Sequence, residues 1–186
     1  MSSSANSVNF GKNYAVLNLD WMALLLNAVE ESPEGQSLIA NYSRWNNAPD
    51  LRLKTPFSKL LEPFGTFETG TPGVEIDPRF TVDEKDVVLR KARWSATTGN
   101  NLEQILKAQS IDTVVISGLS LSGVVMATVY RLFDLDFNIF VISDNVLEVP
   151  PTQHSEVSKI TLETLMPKMN LQVITLDQAL QALKQS

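Results

Sequence analysis

The 186-residue chain contains no cysteine. That absence excludes disulfides, thiolate metal ligands and a cysteine nucleophile. Its one histidine, His154, lies in the polar run PPTQHSEVS, so a multi-histidine metal site is excluded too, and a surface or loop role is expected for that residue. Basic residues are in the minority: 15 Lys and Arg against 21 Asp and Glu give a formal net charge of -6. This is the wrong sign for a broad phosphate-binding face, and nucleic acid is not an expected partner. No apolar run approaches the ~18 residues of a membrane span. The polar start MSSSANSVNFGKN has no apolar signal segment. No glycine-rich phosphate loop of either common type occurs, so no cofactor is expected. Together these absences point to a cytoplasmic protein that acts on, or binds, a small molecule.

What is present is ordinary for a globular core: 44% apolar and 19% charged residues. Short apolar runs alternate with amphipathic segments. YAVLNL (14–19), LRLK (51–54), DVVLR (86–90), DTVVIS (112–117), NIFVIS (138–143) and LQVIT (171–175) read as strands. Between them, SPEGQSLIANYSRW (32–45), NNLEQILKAQ (100–109, with Asn100 or Asn101 as cap), 122–133, SEVSKITLETLMPKM (155–169) and LDQALQALKQ (176–185) read as helices. Such alternation implies βαβ crossovers. The expected fold is α/β: a Rossmann-like three-layer αβα sandwich around a mainly parallel six-stranded sheet. Residues 1–13 are expected to be a flexible N-terminal segment and 14–186 one domain. The stretch from Thr55 to Asp83, rich in Pro, Gly, Thr and Phe, reads as a long connection. Its Phe57, Phe64, Phe67 and Phe80 could wall a pocket, pin the loop to the core or line a subunit interface.

In open α/β sheets, ligands sit beyond the carboxyl ends of the strands. That rule selects Asp20 after the first strand, Lys91 after DVVLR, and the turn GLSLSGV after DTVVIS. Asp20 and Lys91 could form an acid–base site or a structural ion pair at the sheet edge. If they lie ~4 Å apart, their attraction at an effective dielectric of ~20 is roughly 4 kcal/mol and favours ionised Asp20. Desolvation by Trp21, Trp94 and Val124 opposes it. In the turn, Ser120 and Ser122 could bond a ligand or cap the helix, while Gly123 allows close packing. Arg93 could clamp a carboxylate and Trp94 wall the pocket, or they could be a solvated charge and a packed ring.

The blocks AVLNLDW, VVLRKARWSATTGNNLEQIL and IDTVVISGLSLSGVVMATVYRLFDLDFNIFVISDN resemble the isochorismatase-like, or cysteine hydrolase, superfamily. Weaker similarity in GTPGVEIDP and the last helix–strand–helix extends the match over nearly the whole chain. The resemblance implies a pocket of Asp, Lys and Cys, carried here by Asp20, Lys91 and Val124. Leu119, Ser120, Ser122 and Gly123 lie around the last position. An isopropyl group has no lone pair and no acidic proton, so Val124 cannot form a covalent intermediate. The superfamily also implies a second chemistry: isochorismatases proper, and a phenazine-pathway relative, hydrolyse a vinyl ether without a protein nucleophile. The present chain keeps their Asp and Lys, has Val124 in place of glycine, and has no obvious counterpart of their substrate-binding glutamine. The resemblance implies a homo-oligomer, a dimer or larger, and the chain lacks the histidines that bind zinc in the nicotinamidase branch.

Three functions are compatible with these features. The first is a cysteine-independent hydrolase or lyase acting on a small acidic or carbonyl-bearing molecule through Asp20 and Lys91. The second is a catalytically silent protein that binds a small ligand or a protein partner. The third is a structural subunit valued for its oligomer contacts. Retention of both Asp20 and Lys91 favours the first.

Overall fold

The computed structural model describes residues 8–20, 55–64 and 72–185. Four parallel strands lie side by side in chain order: β1 (Tyr14–Leu19), β2 (Thr113–Leu119), β3 (Asn138–Leu147) and β4 (Gln172–Ile174). β2 is the centre, and all seven of its residues are buried. A strand covered on both faces needs an apolar, β-branched sequence rather than an alternating one, and TVVISGL supplies it.

Side-chain alternation distributes these residues between two cores. On one face Val114, Ile116, Ile139 and Val141 pack with Leu106, Val125, Val129 and Met166. On the other, Val115, Phe140, Ile142 and Ile174 pack with Phe10, Ala179 and Ala182. Each fully buried Val, Ile or Leu contributes about 1.5–3 kcal/mol. The first face carries α2 (Leu102–Ala108), α3 (Met126–Phe133), α4 (His154–Ile160) and α5 (Met166–Lys168). A wide turn, Leu121–Val125, opens α3, and another, Thr161–Leu165, joins α4 to α5. The second face carries α6 (Leu176–Leu183), whose start is fixed by a reciprocal cap between Thr175 and Gln178. The short α1 (Pro56–Leu61) lies in the long connection, with Thr55 and Ser58 bonding each other's backbone amides at its start.

Two expectations need revision. Of the six strands anticipated, four are seen among the described residues. LRLK lies outside them, as do the helix expected at 32–45 and Trp21. Residues 86–90 make no ladder among the described residues; Val87 is 66% and Val88 48% exposed, so the apolar run is not a buried strand. Short apolar runs do not by themselves specify a strand. NIFVIS, by contrast, continues to Leu147 after an irregularity in its pairing with β2 between Ile116 and Gly118. Within the segment expected to be flexible, Phe10 is buried, sits edge-on to Phe140 at 5.0 Å, and covers the end of the second core.

Gly118 controls how closely β1 and β2 approach at their carboxyl ends. It pairs with Leu19, and a Cβ there would lie 2.3 Å from the Leu19 carbonyl oxygen and 2.7 Å from the Leu19 Cβ. Its φ of +134° is also one that side-chain-bearing residues rarely adopt. Gly118→Ala should therefore destabilise the protein by about 3 kcal/mol or more, measured by urea unfolding. Gly11→Ala, at φ +75° with no neighbour within 4 Å, should cost only about 1 kcal/mol.

Candidate active site

The pairing of Leu19 with Gly118, and of Leu119 with Leu147, brings three chain exits to one edge of the sheet: Asp20, Ser120 and Glu148. Asp20 leaves β1 in the left-handed region, at φ +57°. Asp tolerates that conformation better than most residues. Its carboxylate meets Lys91, which arrives 71 positions later in sequence: Nζ donates to Oδ2 at 2.7 Å and lies 2.7 Å from Oδ1. Both side chains are more than nine-tenths buried. Lys91 also donates to the Arg93 carbonyl at 3.0 Å. Asp20 Oδ1 has no partner besides this Lys91 ammonium among the described residues. The competition posed by the sequence is decided by burial: desolvation raises the Asp20 pKa above the ordinary carboxylate value, although the Lys91 charge and hydrogen bond pull it down.

The loop behind Lys91 is held by its own polar groups. Asn100 donates to the carbonyls of Arg90 (2.7 Å) and Ala96 (2.8 Å) and accepts the amide of Leu102 (3.0 Å), so Asn100 both ties the loop and opens α2. The Thr128 hydroxyl accepts the Ala96 amide at 3.0 Å and donates to the Val124 carbonyl at 2.8 Å. One buried hydroxyl thus couples the loop carrying Lys91 to the turn that opens α3.

In that turn the Leu119–Ser120 peptide is cis. Leu119 is fully buried, and Val124, 3% exposed, belongs to the same core cluster as Leu19 and Ala96. Gly123 lies under Trp94: a Cβ there would be 3.0 Å from the indole and 2.7 Å from the Ser120 hydroxyl oxygen. Trp94 keeps 38% of its surface exposed and meets Phe57 of α1 edge-on at 6.1 Å. The Arg93 guanidinium stacks 5.2 Å over the same phenylalanine and donates to the Ala92 carbonyl. Phe57 therefore brings the long connection against Arg93 and Trp94. Phe67 lies outside the described residues.

The helix start is not capped as the sequence suggested. Ser120 occupies the capping position but makes no capping hydrogen bond, and Ser122 is exposed. Instead, buried Glu148 reaches across from the end of β3: its carboxylate accepts the amides of Ser122 at 2.8 Å and Val149 at 2.9 Å. The Glu148 amide in turn donates to His154 Nδ1 at 3.3 Å, so His154 is partly buried and tied to the site edge rather than merely exposed. Sequence reading does not reach Glu148, because the apolar run NIFVIS stops at Ser143. Extending NIFVIS through the apolar Val146 and Leu147 would have put Glu148 at a strand's carboxyl end, by the same rule that selected Asp20.

Residues 14–178 match the isochorismatase domain family. The chain belongs to the isochorismatase family. Isochorismatase-family relatives include the uncharacterized protein YrdC of Bacillus subtilis, 27% identical over 119 residues, covering 54% of this chain and 64% of that protein. N-carbamoylsarcosine amidase of an Arthrobacter species is 36% identical over 73 residues, 39% of this chain and 27% of the amidase. The chain thus matches less than two thirds of the length of these relatives. The crystal structure of an isochorismatase family protein from Desulfovibrio vulgaris superposes with a TM-score of 0.74 at 20% identity, covering 94% of this chain and all of that one. The α/β fold with its parallel sheet is therefore the isochorismatase-like fold.

Within this isochorismatase-like chain, two consequences can be measured. The Asp20 pKa is raised, so its contribution to stability is complete below 3.8 and lost as pH rises through the raised value. The stability of Asp20→Asn relative to wild type should therefore improve as pH rises through that window and level off above it, in urea unfolding at a series of pH values. A constant difference would contradict the burial argument. Thr128→Val leaves the buried Ala96 amide without its acceptor and should cost about 1–3 kcal/mol, whereas Thr128→Ser, which keeps the hydroxyl, should cost less.

Proposed function

We propose that this isochorismatase-family chain is a hydrolase or lyase that works without a protein nucleophile, on a small acidic or carbonyl-bearing molecule, with Asp20 as proton donor and Lys91 as its electrostatic partner. The observation that carries this reading is the buried Asp20–Lys91 contact, with a carboxyl whose pKa burial has raised. Burial keeps the proton on Asp20 at pH values where an exposed carboxyl would have lost it. Lys91 makes its release less costly: as the proton leaves, the ion pair forms at 2.7 Å, an attraction of about 6 kcal/mol at an effective dielectric of ~20 before desolvation is counted. The stabilisation thus grows along the reaction coordinate, as catalysis requires.

For an enol ether the steps balance. Asp20 protonates the alkene carbon, and the ether oxygen donates its lone pair to give an oxocarbenium ion. Water adds to that cation and returns a proton to Asp20, and the hemiketal collapses to a ketone and an alcohol. Val124 need contribute only shape and dryness. The mutual packing of Phe57, Trp94 and Arg93 supports assigning them to wall the substrate, with Arg93 meeting its acidic group.

A second reading, a catalytically silent binder, is favoured by one observation: Val124 is an apolar side chain packed into the core at the start of α3. A panel of enol ethers, amides and imides, with products followed by mass spectrometry, separates the two. The enzyme reading expects wild-type turnover of an enol ether that drops at least about 10²-fold in Asp20→Asn. Its rate should fall as pH rises through the raised Asp20 pKa, because the donor is active only when protonated. Unchanged turnover in Asp20→Asn would remove the mechanism, and saturable binding without conversion would establish the binder.

A further inference from the structure

Glu148 stands at the edge of the sheet that carries Asp20, two strands away, or about 10 Å at the usual strand spacing. It is 3% exposed. The first amides of a helix are a natural place for an anion, because they have no acceptor inside the helix and carry the positive end of its dipole. Here the Ser122 amide already has one: Glu148 Oε2 at 2.8 Å, while Oε1 takes the Val149 amide at 2.9 Å. The Glu148 backbone is held in turn by His154 Nδ1. Val124, two residues beyond Ser122 in the same turn, is as buried as Glu148, and charges at buried positions are screened less than charges at the surface.

We infer that Glu148 is an internal anion occupying the start of α3, and that it is a specificity-determining residue: it opposes a developing oxyanion or thiolate beside Val124 and favours a developing cation. An acyl transfer builds negative charge on its carbonyl oxygen and needs free donors there. Protonation of an enol ether builds positive charge instead. The inference deepens the function proposed above and rests on it for the substrate. It adds that amides are disfavoured by Glu148 as well as by the missing thiol.

The cysteine-free chain allows a direct test in the absence of substrate. Val124→Cys installs a single thiol, whose pKa is read from thiolate absorbance and from the pH dependence of iodoacetamide alkylation in the folded protein. The expected value is at or above the ordinary ~8.5 despite the helix start, which alone would lower it. In Val124→Cys/Glu148→Gln it should fall by about one unit, and in Val124→Cys/Glu148→Asp, which keeps the charge, it should stay near the parent value. A parent thiol clearly below ~8.5, or a Gln variant within about 0.3 unit of its parent, overturns the inference. If the Gln variant does not fold, the parent value decides alone. Because no turnover is involved, failure of the enol ether assay leaves this result standing, and failure here leaves the roles of Asp20 and Lys91 untouched.

Discussion

Burying a carboxyl group and an ammonium together at the end of β1 constrains the rest of the site. Each charge alone would cost several kcal/mol to remove from water, and their attraction offsets this only with close geometry. The chain supplies that geometry from opposite directions. Gly118, lacking a Cβ, lets β2 come against Leu19, and Asp20 turns off the strand through a left-handed conformation. On the Lys91 side, Asn100 folds the loop onto itself and Thr128 fastens it to the turn before α3. None of these groups is apolar packing in the usual sense. They are polar contacts that place a carboxyl group against an ammonium, at a cost in stability carried by the two cores of the sheet.

The same loop unites the remaining features. Lys91, Arg93 and Trp94 are nearly consecutive, so fixing Lys91 also places the indole over Gly123 and the guanidinium over Phe57. The helix start opposite is set by Glu148 rather than by the serines beside it. A carboxylate donated from β3 neutralises the end of α3, where a free helix start would attract substrate anions. The sheet edge therefore carries the Lys91-paired carboxyl of Asp20 at one strand end and the amide-bound carboxyl of Glu148 at another, with β2 between them.

Much of this was legible in the residues. Strand-length apolar runs gave β1, β2 and β4 closely, and the rule of strand carboxyl ends brought together Asp20, Lys91 and the turn after β2 across about a hundred residues of sequence. The rule worked for Lys91 even though 86–90 is not a buried strand, because the loop that follows is anchored by Asn100 whichever way the preceding residues run. What was not legible has physical reasons. A run such as NIFVISDNVL changes partners partway, and its polar Asp144 and Asn145 look like an end although β3 continues through them. Ser120 is well placed to cap, but a cap depends on which acceptor is nearest in space, and Glu148 is nearer to the Ser122 amide.

By itself, the sequence determined the chemistry the chain can attempt: no cysteine and a valine at the turn exclude a thiolate, and the apolar alternation requires a parallel α/β sheet. Tertiary structure alone decided the charges. Whether Asp20 is acid or base depends on the balance of burial against Lys91, and whether the start of α3 is open to an anion depends on a side chain 26 residues away. Both are questions of distance and solvent, which a linear pattern of residue types does not contain.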